Sequence, residues 1–106
     1  MTVQDILKLP GITPVHLEAD REIENVFCCD LLSVAMARAP ESCAWVTVIG
    51  NHNAVAVATL ADASCIVLAE GYEFDEAAIE AARGRLTLLK SSRPIFETAR
   101  DIGAGS

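Results

Sequence analysis

Apolar and polar positions along the chain follow two periods, and the period changes repeatedly. "TVQDILKLP" puts Val3, Ile6 and Leu7 on one helical face, with Thr2 as cap and Pro10-Gly11 as the stop. "TPVHLE" and "IENVFCC" predict two short strands. "DLLSVAMARAP" predicts a helix with Asp30 at its N-cap, a stripe of Leu31, Leu32, Ala35 and Met36, and Pro40 as its end. "CAWVTVI" and "SCIVLA" predict buried strands, "LTLLK" a further one. "DEAAIEAARGRL" is an amphipathic helix with acid in its first turn and Arg83 and Arg85 at its end. "PIFETARDI" predicts a last helix, with Pro94 at the favoured first position.

The segment around 53–62 reads two ways. Val55, Val57 and Thr59 alternate as in a strand, while the alanines between them favour a helix. Two parallel strands on either side of it need a crossover, which decides for the helix. The second half of the chain then runs strand, helix, strand, helix, strand, helix. That order implies an α/β fold with three layers, α/β/α, around a mostly parallel sheet. A helix apolar on every side must be covered on every side. Two covers stay open: a second copy of the chain, giving a homodimer, or the N-terminal helix.

Length changes little in this picture. The chain has 106 residues, one domain over 1–103 with a flexible tail at 104–106. Charge excludes more. A net charge of −7, with scattered basic residues and 5% aromatics, disfavours nucleic acid as a partner. No apolar run approaches the ~20 residues that span a bilayer, and the N-terminus lacks a basic leader, so a cytoplasmic protein is expected. Cys28, Cys29, Cys43 and Cys65 lie in apolar surroundings and read as free thiols. No C-x-x-C pair or two-histidine arrangement points to a metal.

In open α/β sheets, ligands collect at the carboxyl ends of the strands, beside helix N-termini. Four turns fall there: Cys28-Cys29-Asp30, Gly50-Asn51-His52-Asn53, Glu70-Gly71-Tyr72 and Ser91-Ser92-Arg93. Asn51 and Asn53 have capping as their plain role, and His52 a bond to backbone or to Asp30. Asp30 and Ser33 taken alone read as an N-cap and a back-bonded hydroxyl. Cys28 or Cys29, His52 and Asp30 are the residue types of a cysteine hydrolase, at a spacing that is not diagnostic.

"DLLSVAM" from Asp30, "WVT" from Trp45, "HNAVAVA" from His52 and "SCIVLAEG" from Ser64 together resemble stand-alone DRTGG-domain proteins, over roughly Val3 to Ile102. The resemblance implies a fold similar to the N-terminal domain of HPr kinase/phosphorylase. It also implies a regulatory, dimeric module of the kind found beside CBS pairs in pyrophosphatases and in phosphotransacetylases, rather than a catalyst. Asp30, Ser33, Thr47, His52 and Asn53 match its motif positions. The Gly-Asp-Arg and Thr-Gly-Gly turns of the larger members are replaced by Gly50-Asn51-His52 and Ala69-Glu70-Gly71, without the arginine and with an added acid. The expected site is therefore a small polar pocket of Asp30, Ser33, Thr47, Asn51, His52, Asn53 and Glu70, taking a nucleotide-like small molecule. No catalytic residue, metal or cofactor is assigned. A protein-interaction scaffold is the alternative, and the family's association with hydrogenase, ATPase and phosphoesterase components implies a partner protein.

Overall fold

The computed structural model describes residues 1–105. Strand β3 (Cys43–Thr47) is buried along its whole length, because its residues alternate between two covered faces. Cys43 and Trp45 point into one core, Ala44 and Val46 into the other. Beside it lie β2 (Asn25–Cys28) and β4 (Cys65–Leu68), then β5 (Thr87–Ser91) and β1 (Ile12–His16). The sheet order is β1-β5-β4-β3-β2, with β2 to β5 parallel and β1 antiparallel at one edge. Pro14, which cannot donate to a ladder, is tolerated there because β1 is an edge strand with a register shift between Pro14 and His16.

Each step from β2 to β5 moves one strand along in the same direction. Right-handed crossovers then put all three connecting helices on one face. These are α2 (Leu32–Arg38), α3 (His52–Leu60) and α4 (Glu76–Ala82). Their Ala35, Val55, Val57, Ala58, Ala78 and Ala82 close over Trp45, Ile66, Leu68 and Leu88. Each fully buried side chain of that size contributes ~1.5–3 kcal/mol. The opposite face is covered by α1 (Val3–Ile6) and α5 (Ile95–Ala104), through Val3, Ile6 and Ile102. The architecture is the three-layer α/β/α sandwich that the sequence pattern implies.

Three local expectations change. The N-terminal helix does not roof the apolar α3: α3 is flanked by α2 and α4, and α1 lies across the sheet from it. Of α3, His52, Asn53, Ala56, Thr59 and Leu60 face solvent. The α2 stripe is only partly buried: Ala35 is covered, whereas Leu31 and Met36 are 58% and 64% exposed. Finally, α5 runs through Ala104 into the segment read as tail, its end closed by Gly105 N–H donating to the Ile102 carbonyl. Ser106 lies outside the described residues.

At the amino-terminal rim, Ser64 Oγ donates to the Glu22 carbonyl at 2.6 Å, and Arg21 makes several bonds. Arg21 donates to the Asp62 carboxylate at 3.0 Å, to the Ala63 carbonyl at 3.0 Å and to the Asp62 carbonyl at 3.2 Å. It thereby fastens the β1–β2 crossing to the α3–β4 turn.

Candidate ligand site

Because β2, β3, β4 and β5 are parallel, the turns that follow them share one rim. They do not share one site. After β2, Asp30 turns away from α2, whose N-cap is Leu31 with no side-chain cap. Its Oδ1 accepts instead from Thr47 Oγ1 at 2.8 Å and from Val48 N–H at 2.9 Å. Thr47 Oγ1 in turn accepts from Ile49 N–H at 3.2 Å. This chain of bonds closes the ends of β2 and β3 onto each other. Asp30 is thus a clasp between strands rather than the helix cap its position suggests.

After β3, Asn51 is the N-cap of α3, its Oδ1 accepting from Ala54 N–H at 3.0 Å. His52 and Asn53 follow in the first turn, their side chains exposed and without a hydrogen-bond partner among the described residues. Ser33 is likewise exposed in the first turn of α2. Gly50 is required by close approach: a Cβ there would sit 2.9 Å from the Glu73 carbonyl and from Leu68 Cδ2.

After β4, Glu70 occupies left-handed backbone at φ 62°, followed by Gly71 at φ 73°. For a residue with a Cβ this costs about 1 kcal/mol. Hydrogen bonds hold it in place: Glu70 N–H donates to the Arg93 carbonyl, Gly71 N–H to the Ser91 carbonyl, and Tyr72 N–H to the Ala69 carbonyl. The Glu70 carboxylate then accepts from Ile95 N–H at 2.8 Å, capping α5 from a distant turn. Of the seven expected residues, the structure joins Asp30 with Thr47, leaves Ser33, His52 and Asn53 on the surface, and uses Asn51 and Glu70 as caps.

A crevice of about 520 Å³ opens further along the rim, lined by Gly11, Ile12, Thr13, Gly71, Glu73, Lys90, Ser91 and Ser92. Its position follows from the sheet edge. The entry of the antiparallel β1 lies beside the exit of β5, and the β4–α4 loop rises on the other side of β5, so the crevice sits over the end of β5 between them. Within the crevice Lys90 Nζ meets Glu73 Oε1 at 2.5 Å. Thr13 stands directly across from Lys90 in the β1–β5 register, on the same side of the sheet. Gly11 lets the β1 entry approach the β5 exit: at φ 81°, its absent Cβ would lie 2.9 Å from Ser92 Oγ. Sequence reading had marked Ser92 and Gly71 as rim positions but missed Gly11, Thr13, Glu73 and Lys90. Lys90, the only charge in "LTLLKSS", was the available signal.

Three thiols, Cys28, Cys43 and Cys65, are set against nucleophilic use. Burial, then the Asp30 charge, pushes the Cys28 thiol up. Burial raises Cys43 to about 11 and Cys65 to about 12. A cysteine nucleophile needs the opposite shift. Cys43 and Cys65 also face opposite cores. Among the described residues no group of three metal-ligating side chains comes together, and no helix is long and apolar enough to cross a membrane. No protein-family model matches the chain, and a search of curated proteins finds no similar one.

Proposed function

We propose that this chain is a regulatory module that senses a small polar molecule at the carboxyl rim of its sheet. The observation that carries the reading is the crevice over the end of β5, between the β4–α4 loop and the entry of β1. Its volume falls within the ~300–1,000 Å³ of ordinary ligand pockets, and it combines one apolar wall, Ile12, with a few convergent polar groups. The resemblance to DRTGG-domain proteins supports a regulatory rather than catalytic role, and the raised pKa values of Cys28, Cys43 and Cys65 argue against those three thiols as hydrolase nucleophiles. The rim lies at the start of α5, so a ligand there is coupled through Glu70 and Ser91 to the helix that covers the opposite face.

A thermal-shift panel of nucleotides, phosphorylated metabolites and carboxylic acids tests this. A ligand at 100 times its dissociation constant adds ~2.7 kcal/mol to stability, a clear rise in melting temperature. A panel that leaves the melt unmoved throughout sinks the proposal.

A second reading has its own observation. Leu31, Val34 and Met36 are exposed on α2, above the unpaired edge of β2. Exposed apolar side chains beside an open strand edge suit association, either as a homodimer or with a partner protein. Sedimentation velocity at micromolar concentration should show a dimer that Met36→Glu dissociates; a wild-type monomer, alone and in complexes, counts against it.

A further inference from the structure

We infer that the rim crevice binds a ligand through an anionic group, a carboxylate or a phosphate, which takes the place of the Glu73 carboxylate on Lys90. The inference rests on the crevice being the ligand site and goes beyond it by naming the ligand's chemistry.

The asymmetry of the ion pair decides the sign. Lys90 belongs to β5, and its side chain is 33% exposed; Glu73 belongs to a loop, and its side chain is 71% exposed. When the pair opens, the carboxylate swings into water, where it is fully hydrated at little cost. The ammonium stays in the crevice wall with unmet donors. A cationic ligand would need the reverse, a strand-borne lysine leaving its site while the exposed carboxylate stays. The pair therefore opens toward an anion.

Other donors converge on the same place. Thr13 and Ser92 line the crevice, and their hydroxyls have no hydrogen-bond partner among the described residues. Lys90 supplies a point charge with three donors, which suits a carboxylate and a phosphate alike. The neighbouring charges are already engaged. Glu70 accepts from the N-terminus of α5, and Arg93 is paired with Asp101 at 2.7 Å. Lys90 is the one basic residue lining the crevice, and in a chain of net charge −7 that favours a ligand group with a single negative charge over a dianion. Glu73 then acts as a tethered competitor that keeps Lys90 neutralised until a ligand arrives.

The test uses the whole chain and two substitutions expected to act in opposite directions. The probes are acetate, inorganic phosphate and adenosine monophosphate, each titrated into isotopically labelled protein against sodium chloride at equal ionic strength. Amide shifts of Thr13, Gly71 and Ser92 should move saturably with at least one anion and not with chloride; acetate against phosphate separates the two anion types. Glu73→Gln should tighten that probe by ~2–5-fold, since an exposed pair no longer competes. Lys90→Gln should weaken it by ~10-fold or more, the loss of a charge-assisted bond. Circular-dichroism melts establish that both variants fold, and Glu73→Gln alone suffices if Lys90→Gln does not. Weaker binding in Glu73→Gln, or equal binding in both variants, overturns the inference. If a neutral or cationic compound from the thermal-shift panel binds the crevice while these anions do not, the sensing role stands and the anionic ligand falls.

Discussion

Glu70 carries a measurable conflict: its side chain stabilises the fold while its backbone strains it. Replacing Glu70 with Ala removes the carboxylate that accepts from Ile95 N–H at 2.8 Å and leaves φ at 62°. A lost helix cap costs ~1 kcal/mol, and nothing offsets it. Replacing Glu70 with Gly removes the same cap but relieves about 1 kcal/mol of left-handed strain. The expectation is thus Ala ~1 kcal/mol below wild type and Gly close to wild type, reversing the usual rank of the two residues. In a domain of this size 1 kcal/mol corresponds to roughly 4 °C in melting temperature. Urea unfolding at pH 7, followed by Trp45, suits the measurement because Trp45 is the chain's one tryptophan and is fully buried. Equal m-values across the three proteins are needed for the comparison. A glycine variant no more stable than the alanine variant would refute the claim that the turn is strained.

Three further outcomes follow from the same geometry. Thr47→Val should cost ~1–2 kcal/mol in urea, because it strips Asp30 of one donor and Ile49 N–H of its acceptor; a double-mutant cycle with Asp30→Ala should be non-additive, and additivity would dissolve the clasp. Cys43 and Cys65 have folded pKa values of about 11 and about 12 against an ordinary 9.0. The unfolded state therefore loses protons first above pH 9, so stability is full below that pH and declines as pH rises beyond it. Cys43→Ala should flatten that decline in pH-dependent melts, and native protein should leave both thiols unlabelled by a thiol reagent at pH 8. Glu18 sits below its ordinary 4.5, chiefly through the Gly84 N–H and then through His16. Its contribution is present above pH 4.5 and fades as pH falls through the lower folded value. Glu18→Gln should lessen the acid sensitivity of the melting temperature, and an unchanged acid limb would remove Glu18 from the account.

Much of the site was legible only halfway. Asn51 reads as a cap from its place before "NAVAVA", and it is one. Asp30 stands where a cap belongs, yet Thr47, 17 residues later, draws its carboxylate across to the next strand. Glu70 does the converse, capping a helix 25 residues away. Local pattern reports which side chains seek a backbone donor, not which donor folding brings nearest. Lys90 and Glu73 lie 17 apart in the chain and meet only because β5 sits beside β4.

Period and composition by themselves determined the layers: strands buried on both faces must be parallel and roofed by helices, whatever their order. Order, however, is a long-range matter, and it was the tertiary structure that placed β1 against β5, sent α2, α3 and α4 to one face and α5 to the other. The flanking of α3 by α2 and α4 came from that choice, as did the position of the crevice, because the entry of β1 meets the exit of β5 only in the assembled sheet. Hydrophobic periodicity is encoded residue by residue, whereas the meeting of two distant segments is a property of the whole sheet.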